Sequence, residues 1–331
     1  MKLARKIFLL PVLAAAISSC GVRRPVCGIW QDPLPSVPQV RMDPLPHPQY
    51  ALRTDAYFDV GDAIPVNEAQ WRMCKDVEFL SSGACDGREF GTRGDFEAFR
   101  YIFKRMQEQG LSPRTQTFRA MGRIGRNIIG EIPGSGSGYI LLMAYFDGVG
   151  GQGGKLYPGA DSNASGVAAM LEVARRLSCG GRQRVVVAAV DAHQLSMAGA
   201  ESLAASLKGK DPSIVINIDI IGSTLSPAYR FRKDYVLCLG GRQFNHKLYA
   251  ANNSGPDLHL TFDYYGSSNF TNLFYRKVSD HKFFLERGVP CLMFTSGISF
   301  NTNKSTDTYD TLDYGVMERR VEFITRFVRS L

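Results

Sequence analysis

Several things are missing from this sequence, and each absence closes off a class of protein. No apolar run is long enough to span a bilayer, and the one at the amino terminus, Ile7 to Ile17, is too short. No internal repeat is visible. Basic residues nowhere cluster with interleaved aromatics, which argues against a nucleic-acid partner. Cysteines fall at 20, 27, 74, 85, 179, 238 and 291, without the close pairing of a zinc site. Gly148, Gly150, Gly151, Gly153 and Gly154 crowd one stretch, but no Gly-Lys-Ser/Thr follows to make a phosphate cradle. That stretch reads as a mobile loop.

What is present is an ordinary globular composition. The 331 residues are 44% hydrophobic and 21% charged, enough for one large α/β domain with a substantial core. Lys2, Arg5 and Lys6 precede the apolar run, and Ser18, Ser19 and Cys20 follow it, which describes an export signal over residues 1–19. Ile17-Ser18-Ser19-Cys20 resembles the cleavage box of bacterial lipoproteins. On that reading Cys20 is lipidated and the protein is exported and membrane-anchored, facing the periplasm or the cell surface; acyl chains in multiple would hold it durably. The leader carries three of the positive charges, so the mature chain keeps +5 of the net +8 at pH 7. Arg23 and Arg24 follow the anchor, where anionic headgroups attract them. Prolines then recur at 33, 35, 38, 44, 46 and 48, so residues 20–50 read as a semi-rigid tether ahead of a domain at 51–331. In an oxidising compartment Cys74 and Cys85 are candidates for a disulfide.

Within the domain, strand and helix signals alternate. Asp95 is placed to cap a helix with Phe96, Phe99, Phe103 and Met106 on one face, ended by Gly110. Apolar strands are expected at Tyr139–Ala144, Arg184–Val190, Ile214–Ile218 and Val289–Thr295. Helices are expected at 166–178, near 200–207 and at the carboxyl end, where Met317, Val321, Ile324, Val328 and Leu331 share a face. The pattern predicts a three-layer α/β/α sandwich around a mostly parallel mixed sheet. Residues 223–275 carry no readable assignment. In such folds chemistry gathers at the carboxyl ends of strands. Residues fitting that description are Tyr145, Phe146 and Asp147, then Asp191, His193 and Gln194, then Asp219, together with the turn Gly159-Ala160-Asp161-Ser162-Asn163-Ala164-Ser165-Gly166 and the loop 302–308. Ser162 or Asn163 is placed to cap the helix after that turn.

From Gly87-Arg88-Glu89-Phe90-Gly91-Thr92 to the carboxyl end, the chain resembles the co-catalytic zinc aminopeptidases, whose superfamily includes the animal-type glutaminyl cyclases. Arg126-Asn127-Ile128-Ile129-Gly130, the 159–166 turn, Ser279-Asp280-His281, Gly288-Val289-Pro290 and Asp307-Thr308 ahead of Leu312-Asp313 carry the likeness in order. The resemblance implies two zinc ions sharing a bridging carboxylate and a water, with a glutamate as general base. Position by position, Asp161 stands at the bridging ligand and Asp219 at a second one. Tyr145, Gln194 and Asn303 occupy the remaining ligand positions, and His193 the position of the base. Asp147 stands where a group supporting the first histidine ligand is implied, and Asp280 and His281 where the pocket rim is.

A phenol and two carboxamides bring no negative charge and little affinity for zinc. The expectation is therefore an exported, lipid-anchored, peptidase-like protein that has lost catalysis and retains no cofactor, with zinc present only if the site survives. Two alternatives stay open. His193 could join Asp161 and Asp219 in a rearranged one-zinc exopeptidase, although a strand-end histidine is more often bonded to a backbone group. Cyclase-like acyl transfer would need a zinc held at Asp161, Gln194 and Asn303. If the pocket persists, peptides or their amino termini are the expected partners, because Asp147, Asp161 and Asp219 attract an ammonium group. Ser279-Asp280-His281 is not expected to act as a triad, since adjacent residues rarely converge on one point. Asp307 is expected at a helix entry.

Overall fold

Tyr139–Tyr145 (β3) and Ile214–Ile218 (β7) hold no exposed residue, and their place in the sheet explains why. A computed structural model of the chain describes residues 64–331 apart from 137, 153, 179–182 and 227–231. The leader, Cys20, the tether, Cys27 and Cys179 lie outside the described residues. The main sheet adds β1 (Arg114–Ala120), β2 (Arg123–Ile132), β6 (Arg184–Val190), β8 (Tyr235–Leu239), β9 (His259–Thr261) and β10 (Cys291–Thr295), in the order β1-β2-β6-β3-β7-β10-β8-β9. The centre β6-β3-β7-β10 is parallel, whereas β2 meets β6 and β8 meets β10 antiparallel. Strands covered on both faces read as unbroken apolar runs, which made the central ones visible in the sequence.

Alternation along each strand sends side chains to two separate cores. Ile140, Leu142 and Ala144 join one core with the helices α1 (Glu68–Leu80), α2 (Arg93–Glu108), α3 (Ser165–Ser178), α5 (Asn245–Asn253) and α8 (Tyr314–Ser330). Leu141, Met143 and Tyr145 join the other, under α4 (Ala198–Ser206), α6 (Ser268–Lys277) and α7 (Lys282–Leu285). The result is the three-layer sandwich around a mixed sheet. No helix among the described residues is long and apolar enough to cross a membrane.

Four expectations are corrected. The α2 cap is Thr92, whose hydroxyl accepts from the Asp95 amide at 3.3 Å, while Asp95 reaches back to the Gly91 amide at 2.8 Å. Cys74 and Cys85 remain buried thiols rather than a disulfide. The unassigned 223–275 segment supplies β8, α5, β9 and α6. The glycine-rich stretch contributes a short ribbon, β4 (Gly151–Gln152) with β5 (Lys155–Leu156), and is pinned by Gly148 and Gly150 amides donating to Arg88 and Gly87 carbonyls at 2.8 and 3.0 Å.

Candidate active site

The 159–166 turn is held by buried side chains from distant parts of the chain. Arg88 is fully buried and donates to the carbonyls of Phe146, Leu80, Pro158 and Gly159, which fixes the approach to the turn. Gly159 takes a left-handed φ of 62°, and a Cβ there would lie 2.6 Å from the Ser162 carbonyl oxygen, so the position needs glycine. Asp307 accepts from the Asp161 amide at 2.8 Å and the Ser162 amide at 3.2 Å. It thus braces the turn and caps no helix; Asp313 caps α8 through the Val316 amide at 2.9 Å. Of the two expected caps, Asn163 serves α3, its Oδ1 accepting from the Gly166 amide at 3.1 Å. The same side chain accepts from the Ile220 amide and donates to the carbonyls of Tyr145 and Ile218, tying the turn to β3 and β7.

Asp161 is wholly buried at the centre of this bracing. Its Oδ1 accepts from the Gly222 amide at 2.9 Å, the Ser223 amide at 3.1 Å and the Ser165 hydroxyl at 3.0 Å. Buried Arg320 holds that neighbouring loop by donating to the carbonyls of Ile221, Ser223 and Tyr235. Burial raises the Asp161 pKa above the usual carboxylate range, against the opposing pull of the Gly222 amide. Asp161 Oδ2 is buried with no hydrogen-bond partner among the described residues.

His193 departs most from expectation. Its Nδ1 lies 2.7 Å from Asp280 Oδ2, a bond between two segments far apart in sequence, where the expected partner was a backbone group. Its ring stacks on Tyr145 with centroids 3.8 Å apart and planes 10° from parallel. Burial disfavours its charge, but Asp280, and after it Asp219 and Asp147, outweigh burial and lift its pKa to about 9. Beneath it, Asp147 is fully buried and accepts from the His193 amide at 2.7 Å and the Gln194 amide at 3.0 Å. Asp147 therefore shapes this loop and presents nothing to an open pocket. Burial brings its pKa to about 6 and that of Asp219, which also faces Asp280 and Asp161, to about 7. Tyr145 is pushed well above its ordinary pKa by burial and by Asp219, so its phenol is neutral.

The remaining residues do not converge. Gln194 is exposed, and Asn303 is half-buried in left-handed backbone with a φ of 57°; neither side chain hydrogen-bonds to the carboxylates among the described residues. Ser279 donates to the Phe274 carbonyl. His281, expected at the rim, is fully buried against Tyr275 and kept neutral by burial, its pKa lowered to about 4. The pairing of Asp280 with His193 and the bracing by Arg88, Arg320 and Asp307 were not foreseen. Only the place of Arg88 and Asp307 in the shared motifs hinted at them.

Asp161 Oδ1 already accepts from two backbone amides and a hydroxyl, Tyr145 is a neutral phenol, and His193, bonded to Asp280 through Nδ1, has Nε2 as its remaining nitrogen. Among the described residues no three His, Cys, Asp or Glu side chains converge as a donor set.

Comparison with known proteins agrees with the architecture. No curated protein matches the sequence. Among solved structures, a zinc aminopeptidase from Bacillus subtilis superposes with a TM-score of 0.65 at 13% identity, over 81% of this chain and 96% of that one. LapB from Legionella pneumophila gives 0.65 at 17% identity, over 85% and 76%. Glutaminyl cyclase from Porphyromonas gingivalis gives 0.62 at 17% identity, over 81% and 99%. At these identities the likeness is one of fold. The sequence itself matches the profile of peptidase family M28 over residues 127–328, and by that match the chain belongs to peptidase family M28.

Proposed function

We propose that this metallo-aminopeptidase-like domain belongs to an exported, lipid-anchored protein that binds peptide amino termini without cutting them. The observation that carries this reading is the commitment of His193 to Asp280 and Tyr145. A base must offer a free lone pair to the attacking water. Here, against the opposing effect of burial, Asp280, bonded to Nδ1, together with Asp219 and Asp147 lifts the pKa of the residue at the base position to about 9, so at neutral pH Nε2 carries a proton and offers no lone pair. The acceptors left are Asp219, 7% exposed, and the unpartnered Asp161 Oδ2. A peptide ammonium supplies the charge and donors that such oxygens take. The zinc aminopeptidase of similar fold names the ligand class. Export and anchoring rest on Lys2 to Cys20.

The test combines three measurements on purified protein: metal content, hydrolysis of amino-acid anilides, and calorimetry with short peptides against their N-acetylated forms. No stoichiometric zinc, no hydrolysis and binding only of free amino termini are expected. Chelator-sensitive turnover lost in Asp161→Ala overturns the proposal. It would favour instead a rearranged one-zinc exopeptidase, the reading to which the orphaned Asp161 Oδ2 gives some support. Labelling with palmitate, lost in Cys20→Ala, tests the anchor.

A further inference from the structure

Residues 114–130 form most of the β1–β2 hairpin and hold Arg114, Arg119, Arg123 and Arg126 without one Asp or Glu. The register sets where this charge sits. The Arg126 amide donates to Asp191 Oδ2 at 2.9 Å, and Asp191 lies just past the carboxyl end of β6, two residues before His193. Because β2 runs antiparallel to β6, the turn at Met121 and Gly122 continues past that end. At about 3.3 Å per residue, Arg123 lies about 10 Å beyond the level of Asp191. The hairpin is also packed sideways against the site. Phe118 shares a small core with Phe90, Ala192 and Ala198, joined by Ala120 and Leu195, and so leans on the loop that carries His193 and Gln194. Exposed Arg119 and Ile124, the latter at 41%, pair on one face, while exposed Arg123 pairs with Ala120 on the face of Phe118, its guanidinium donating to the Phe90 carbonyl at 2.8 Å; the two faces meet at the tip beside Met121, 66% exposed. The nearest carboxylate to Arg123, Glu89, is 3.8 Å away and half exposed, too wet to neutralise it strongly.

An acidic site with a basic, partly apolar wall beside it is complementary to a peptide of matching polarity. We propose that the hairpin docks the residues that follow a captured amino terminus, selecting acidic and apolar side chains there. This rests on the reading that the site takes peptide amino termini, and it adds the class of peptide. The ammonium enters among the carboxylates, while the downstream chain crosses the hairpin tip, its carboxylates meeting Arg123 on one face and Arg119 on the other and an apolar side chain covering Met121.

Calorimetry with the full chain and four peptides tests it: free-amino peptides with a neutral tail or an acidic tail, and the N-acetylated form of each. Two surface charge pairs predict about tenfold tighter binding of the acidic tail at low salt. That advantage should fade between about 50 and about 500 mM salt. It should vanish in Arg119→Gln with Arg123→Gln, while neutral-tail affinity stays unchanged. Equal affinities for the two tails overturn the inference and leave the proposed function standing. Absence of binding by every free-amino peptide discards both. Arginine-dependent binding to phosphatidylglycerol vesicles, with no discrimination between tails, assigns the hairpin to a membrane and also overturns it.

Discussion

Buried Asp280 and part-buried His193 form an ion pair at the position where the wider superfamily resemblance places a general base. A histidine whose folded pKa is raised from its ordinary 6.5 to about 9 contributes stability that is complete below pH 6.5 and is lost as pH rises through 9. The full contribution is at most about 3 kcal/mol. The stability difference between wild type and His193→Gln, measured by urea unfolding, should therefore shrink across that window; a flat difference would reject a charged His193. A second contrast concerns the two retained acidic positions. Asp161→Ala strips the acceptor from two buried amides and a hydroxyl and should cost about 2 to 4 kcal/mol. Asp219→Asn should cost less than about 1 kcal/mol, because burial and neighbouring carboxylates already disfavour its charge. Equal losses in the two variants would contradict the different roles assigned to them. The residue types at these positions were legible from sequence, but the bond joining His193 to Asp280 was not. Nothing local in the chain reports a contact between such distant segments.

At the level of elements, the turn before α3 depends on Asn163 and on the glycine beside it. A Cβ at Gly166 would lie 2.2 Å from Asn163 Oδ1. Alanine improves a helix by up to about 1 kcal/mol over glycine, yet Gly166→Ala should lower the melting temperature, since displacing Asn163 frees its contacts with β3 and β7. A raised melting temperature would show that the bracket is not rigid. Arg88→Leu should be worse, at about 3 kcal/mol or more in thermal or urea unfolding, because it leaves several buried carbonyls without a donor. Central strands and the helices α2, α3 and α8 were readable because burial on both faces, or along one stripe, imprints the sequence, whereas α1 was not assigned. The β1–β2 hairpin was not: β1 alternates among Arg, Thr and Gln at a sheet edge with little apolar content. The strands inside 223–275 are short, and β9 has only three residues.

For the molecule as a whole, the arrangement predicts independence from metal. A ligand at a hundredfold excess over its Kd adds about 2.7 kcal/mol to stability, which a thermal scan detects easily. Scans in excess zinc and in chelator should superimpose for this chain. A chelator-induced fall of several degrees would restore a metal to the site.

The hydrogen bonds on Asp161 carry a consequence for engineering. An aspartate whose Oδ1 clasps a loop through Gly222 and Ser223 is required by the fold whether or not it serves a metal. Rebuilding the donors one at a time would meet resistance. His193→Glu alone would set a new carboxylate against buried Asp280 and remove the histidine charge that faces those acids. That replacement passes through a less stable protein, so the donor set that the resemblance implies would be reached only by several replacements made together.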